Sequence, residues 1–124
     1  MFTIVLISCL CTFLASILCD IVASTNIQSR FSGPWECDDV QLQPTSDYCS
    51  WPHVGCDADR HVQNLTLVGL GLAGSLPTSL GALGVLTSLQ LHNNPRMHGT
   101  VPTQLGLLSS LLLMDLSNTA LSGP

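Results

Sequence analysis

Residues 86–108 read LTSLQLHNNPRMHGTVPTQLGLL, and this stretch decides the fold. Within it Leu86, Leu89 and Leu91 have L-x-x-L-x-L spacing, followed by Asn94, the turn Gly99-Thr100-Val101-Pro102 and Leu105-Gly106. The pattern recurs on either side. Val62, Leu65 and Leu67 precede it and Leu111, Met114 and Leu116 follow it, so Leu67 to Leu91 spans 24 residues and Leu91 to Leu116 spans 25. The turns keep step: Gly74-Ser75-Leu76-Pro77 answers Gly99-Thr100-Val101-Pro102, and Gly123-Pro124 begins another. Recurrence at a fixed period of this length signals a solenoid, in which each copy buries its apolar face only against its neighbours.

The spacing also assigns faces. Side chains two apart on a strand point the same way, so Leu65 and Leu67, Leu89 and Leu91, and Met114 and Leu116 face the core, and stacked copies form a parallel sheet. Leu72, Met97 and Leu121, with Leu76 and Val101, fill that core from the turn side. The one-residue length difference falls at Asn94-Pro95-Arg96-Met97. The outward positions are Thr66 and Val68, then Ser88, Gln90 and His92, then Leu113, Asp115 and Ser117, on the concave face that solenoids commonly use for recognition. The expected architecture is an α/β-type solenoid with a short parallel sheet on this face, little helix and a disulfide-stapled N-terminal cap. Its segments are a leader at 1–23, the cap at 24–61 and the repeats at 62–124, the third copy incomplete.

Composition narrows the function. Only 9% of residues are charged and 46% are hydrophobic, which separates the chain from disordered polar sequences. There is no lysine, the basic residues are Arg30, Arg60 and Arg96, and the formal net charge is -5. No nucleic-acid footprint and no basic stripe for anionic lipid exist. Most acids precede the repeats, where Arg96 and Asp115 are the formal charges.

Met1 to Ala23 is almost wholly apolar and reads as a secretory signal peptide ending at Ile21-Val22-Ala23, although no basic residue precedes Arg30. An uncleaved membrane anchor and a buried core helix are the alternatives. Its removal takes Cys9, Cys11 and Cys19 and leaves Cys37, Cys49 and Cys56, an odd number in an oxidising compartment. Cys49 and Cys56 enclose a short Pro- and Gly-containing loop and are paired here, leaving Cys37 without an assigned partner; a zinc site of Cys49, His53 and Cys56 is the weaker alternative, because its spacing lacks the C-x-x-C geometry. The rest of the cap reads as loop, with turn residues at 32–34 and 44–47. Trp35 and Trp51 are expected to cover the open end of the core, and Asp38-Asp39 to be a solvated turn.

Two further motifs need weighing. Gly69-Leu70-Gly71-Leu72-Ala73-Gly74 matches G-x-G-x-x-G after a strand, but Pro77 blocks the helix a dinucleotide loop requires, and no acid lies between Asp59 and Asp115. Asn64-Leu65-Thr66 is a glycosylation sequon, with Asn64 on an outward position. His53, His61, His92 and His98 have no ligand spacing, and no Ser or Cys has a recognisable base partner, so nothing points to an enzyme, metal or cofactor.

Residues 86–108 closely resemble the L-x-x-L-x-L-x-x-N-x-L-x-G-x-I-P-x-x-L-G-x-L repeat of plant-type leucine-rich-repeat extracellular domains, and Cys49-Ser50-Trp51-Pro52-His53-Val54-Gly55-Cys56 is similar to the C-x-W-x-G-V-x-C of that family's N-terminal cap. The sequence departs in three ways: no helical segment is evident in 24–48, the asparagine ladder survives at Asn94 with Leu70 and Thr119 at the equivalent positions, and no closing cap follows the third copy. The resemblance implies a secreted or cell-surface recognition module that binds an extracellular protein, peptide or glycan, or alternatively inhibits extracellular hydrolases. Membrane attachment would come only through an uncleaved leader or a downstream span. A third option is a structural fragment that self-associates through the edge bearing Leu111, Met114, Leu116 and Leu121.

Overall fold

The computed structural model describes residues 17–27, Trp35, Cys37 and 47–123. The Asp38-Asp39 pair, the turn at 32–34 and the apolar residues 1–16 lie outside these. Residues 17–24 are α-helical. The strands are β1 (Val54–Cys56), β2 (Val62–Thr66), β3 (Ala73–Gly74), β4 (Ser88–Gln90), β5 (Asn94–Thr100), β6 (Leu113–Asp115) and β7 (Thr119–Ser122).

They form two sheets, β1-β2-β4-β6 and β3-β5-β7. In the first, β2, β4 and β6 run parallel in the register the repeat demands: Leu65 pairs with Leu89 and Leu89 with Met114. The second sheet is formed by the turn segments of successive copies. Its β5–β7 register shifts between Asn94 and His98, where the second copy carries its extra residue. After each Gly-x-x-Pro turn the chain makes a short 3-10 helix, Thr78–Ala82 and Thr103–Leu107, with the proline just before its first residue. Proline lacks an N–H and fixes φ, which suits it to that position.

The core lies between the sheets. Leu65, Leu86 and Leu89 are fully buried, Leu67, Leu91 and Met97 are 1% exposed, and Leu72 is fully buried from the turn side. Each fully buried leucine contributes about 1.5–3 kcal/mol of transfer free energy. At the third copy burial falls away: Met114 is 47% exposed, and Leu111, Leu116 and Leu121 are partly buried.

The N-terminal cap closes both sheets. Antiparallel β1 covers the β2 edge of the first sheet. At the second, Thr25 bridges Gly74, Asn26 N–H donates to the Ala73 carbonyl at 3.2 Å, and Ser75 N–H donates to the Ser24 carbonyl at 3.2 Å. Gly74 sits at φ 116°, and a Cβ there would collide with the Ser24 carbonyl, so this glycine is required by the close approach of the cap. Trp35 and Trp51 stack with centroids 5.6 Å apart, are 0% and 5% exposed, and cover the end of the core as anticipated.

The structure differs from the sequence reading at the cap helix. Ile17, Leu18, Cys19 and Ile21 are at most 3% exposed, Cys19 is bridged to Cys37, and Ser79 Oγ donates to Asp20 Oδ2 at 2.6 Å. A boundary after Ala23 would cut through this helix and remove half of that disulfide. The helical segment that seemed missing from 24–48 lies in 17–24, and Cys37 has its partner. The physical reason is that a short apolar helix reads the same whether a core or a membrane receives it. Cys49 and Cys56 pair as read, with Cα atoms 5.6 Å apart, so neither is a thiolate available to zinc.

Candidate ligand-binding face

The outward face of the first sheet is built by strand alternation. With Leu65 and Leu89 buried, the positions flanking them turn to the opposite side, and the parallel register sets them in rows. Asn64, Ser88 and Leu113 form one row, and Thr66, Gln90 and Asp115 the next. Backbone bonds extend the match beyond the strands: Gly69 N–H donates to the His92 carbonyl at 3.2 Å and Asn93 N–H to the Ser117 carbonyl at 3.1 Å, so Val68, His92 and Ser117 are level. Thr66, Leu113 and Ser117 are exposed, and Val68, Ser88, Gln90, His92 and Asp115 are partly so.

Two side-chain groups come together. Gln90 Nε2 donates to Ser88 Oγ at 3.2 Å. His92 Nδ1 lies 3.3 Å from Asp115 Oδ2, within ion-pair range but out of line for a hydrogen bond, and this nitrogen is buried without a hydrogen-bond partner. Asp115 Oδ1 accepts from Ser117 Oγ at 2.6 Å and from Ser117 N–H at 3.0 Å. The Ser117 hydroxyl and then its N–H hold the Asp115 carboxyl below its ordinary value, with His92 acting in the same direction and desolvation opposing. Asp115 is therefore ionised at neutral pH. Thr66 and Val68 sit on the same face on the cap side of these groups.

Behind the face, Asn94 locks two copies together. It is fully buried; its Oδ1 accepts from Leu70 N–H and Leu72 N–H, each at 3.1 Å, and its Nδ2 donates to the Leu67 and Leu91 carbonyls, each at 2.7 Å. Thr119, its counterpart in the third copy, donates to the Leu116 carbonyl at 2.7 Å. Asn26, from the cap, accepts from Ala73 N–H at 2.7 Å and so binds the turn of the first copy.

Sequence reading missed the Asn93–Asn118 pair. Asn93 and Asn118 adopt φ 61° and 53°, the counterpart of Gly69 at φ 62°, and Asn118 Nδ2 donates to Asn93 Oδ1 at 3.0 Å. The signal was present: aligning the copies puts Gly, Asn and Asn, the residues that best tolerate left-handed backbone, in one column. The G-x-G-x-x-G stretch leads through β3 into a 3-10 segment after Pro77. Asp57 Oδ1 accepts from Asp59 N–H at 2.8 Å and His61 N–H at 2.9 Å, shaping the turn between β1 and β2.

BIR2 ectodomain from Arabidopsis thaliana superposes with a TM-score of 0.67 and 33% identity, over 86% of this chain and 56% of that one. The HAESA ectodomain from Arabidopsis, solved in complex with an extended IDA peptide hormone ligand, gives a TM-score of 0.63 and 28% identity, over 87% of this chain and 17% of that one. The fold and its repeat are those of plant leucine-rich-repeat receptor ectodomains. In sequence, the leucine-rich-repeat chain is 32% identical over 85 residues to MDIS1-interacting receptor like kinase 1 of Arabidopsis thaliana, and 35% identical over 76 residues to Polygalacturonase inhibitor 1 of Oryza sativa subsp. japonica. These matches cover 68% and 60% of this chain but 8% and 23% of those proteins. No protein-family profile matches it.

Proposed function

We propose that this leucine-rich-repeat domain is an extracellular recognition module that binds a peptide or protein segment on the outward face of β2, β4 and β6. The observation that carries the reading is the register of Gln90, His92, Asp115 and Ser117, which gathers donors and acceptors from adjacent copies onto one surface. Charge narrows the partner. Arg60 pairs with Asp47 in the cap at 2.6 Å and Arg96 lies on β5 of the other sheet, so among the described residues the formal charge on this face is that of Asp115. A neutral or basic segment suits it better than an anionic one. The peptide-bound HAESA ectodomain supports a peptide partner by similarity.

Two disulfides support an oxidising, extracellular setting, and no helix among the described residues is long and apolar enough to cross a membrane. On this reading a leader cleavage falls before Ile17, because the helix of 17–24 belongs to the cap.

A photo-crosslinker placed at Ser88 tests the proposal. A partner captured there must be lost when Gln90, His92 and Asp115 are changed together to Ala in a chain whose melting is unchanged; undiminished capture sinks this face as the site. The similarity to a polygalacturonase inhibitor favours a second reading, inhibition of an extracellular hydrolase. No inhibition across a panel of pectin-degrading enzymes would dismiss it.

A further inference from the structure

We propose that Asn64 carries an N-linked glycan, and that this glycan covers the cap-side strands of the outward face. Asn64-Leu65-Thr66 is the chain's sequon, and complete burial of Leu65 turns both Asn64 and Thr66 outward, where both are exposed. The flanks of Asn64 across the sheet are small: Gly55 on β1 and Ser88 on β4. Gly55 is not among the glycines at positive φ, so backbone conformation does not demand it. Space does. A Cβ at Gly55 would lie 3.0 Å from Asn64 Nδ2 and 3.2 Å from Asn64 Cβ, so the amide leans over the bare glycine, and a side chain at 55 would crowd it. The cap disulfides, which share no atom with the sequon, independently indicate the oxidising secretory compartment in which asparagine-linked transfer occurs.

The chemistry is a substitution. Asn64 Nδ2 bonds to C1 of the oligosaccharide, the bond from C1 to the lipid-linked diphosphate donor breaks, the diphosphate leaves with the electron pair, and Nδ2 releases one proton. No group is oxidised or reduced. A glycan rooted at Asn64 lies over β1 and β2, next to Thr66. If the peptide-binding reading holds, it directs a partner toward Gln90, His92, Asp115 and Ser117 on the far strands; the modification itself does not depend on that reading.

The test expresses the full chain in a eukaryotic secretory host. Mass spectrometry of the native protein should show a glycan on the peptide containing Asn64, removed by peptide N-glycosidase with conversion of that Asn to Asp. Thr66→Ser should retain it, and Asn64→Gln and Thr66→Val should each abolish it. An unmodified Asn64, whether the chain is exported or retained, overturns the proposal. The shielding is read separately, without any partner, by oxidative footprinting before and after glycan removal. His53, exposed and bonded through its carbonyl to Thr66 N–H, should become more reactive, while exposed Met114 should not change. Equal His53 reactivity in the two states overturns the shielding.

Discussion

Among the described residues, the first and last copies of the repeat are built from the same pattern and covered differently. At the cap end both sheets have their edges covered, by β1 on one and by residues 24–26 on the other, and two stacked tryptophans seal the core. At the opposite end β6 and β7 pair on one side only, and Leu107, Leu112 and Met114 are 68%, 88% and 47% exposed. A leucine in this repeat pattern is thus worth what its neighbours make of it. Leu89, with a copy on either side, is fully buried; Met114, in register with it, is half in solvent.

The widest gap should appear in paired truncations. Leu89→Ala is expected to cost about 2–5 kcal/mol, and Met114→Ala less than about 1 kcal/mol, because the second leaves no enclosed cavity. Urea unfolding of both variants checks this, and equal losses would erase the distinction between interior and end. Next in size, Cys19→Ser and Cys49→Ser should cost about 3 and about 2.4 kcal/mol respectively, from loops of 18 and 7 residues. If Cys19→Ser melts like the parent, the helix of 17–24 is not held in the cap. Asn94→Ala removes hydrogen bonds to five backbone groups and should cost at least about 2 kcal/mol, whereas Thr119→Ala, which breaks one bond, should cost less than about 1 kcal/mol. Thermal melts that rank these two the other way would deny Asn94 its locking role.

The smallest effect concerns acid. Asp115 is held below its ordinary carboxylate value, so its folded form binds a proton less readily than the unfolded chain; the stability it adds is present above the unfolded value and lost as pH falls through the folded one. Asp115→Asn should therefore lower melting slightly at pH 7 and flatten its decline below about pH 4, because the variant has already lost what acid would remove. An unaltered acid limb in that variant would show that the Ser117 bonds do not bias the carboxyl.

The repeats were legible because one local rule acts three times. Strand alternation and a 24-to-25-residue period place Leu65, Leu89 and Met114 in register, and the candidate face follows from the same alternation, with Gln90, His92 and Asp115 where the pattern put them. The cap was less legible. Ile17 to Ser24 carries no repeat, and its apolar residues look alike whether they enter a membrane or a core. The second sheet was also hidden, since β3, β5 and β7 are turn segments whose pairing comes from stacking rather than from strand propensity.

From its sequence alone, then, this chain's solenoid architecture, its inward and outward faces, the Cys49–Cys56 staple and the place of Asn94 were determined, because each depends on residues close together or on a repeated interval. Tertiary structure decided the rest: the pairing of Cys19 with Cys37, the covering of both sheets by the cap, the contact of His92 with Asp115 and the fit of Asn64 over Gly55. These join residues from separate strands, copies or segments. Their proximity is set by stacking, which no single stretch of sequence encodes.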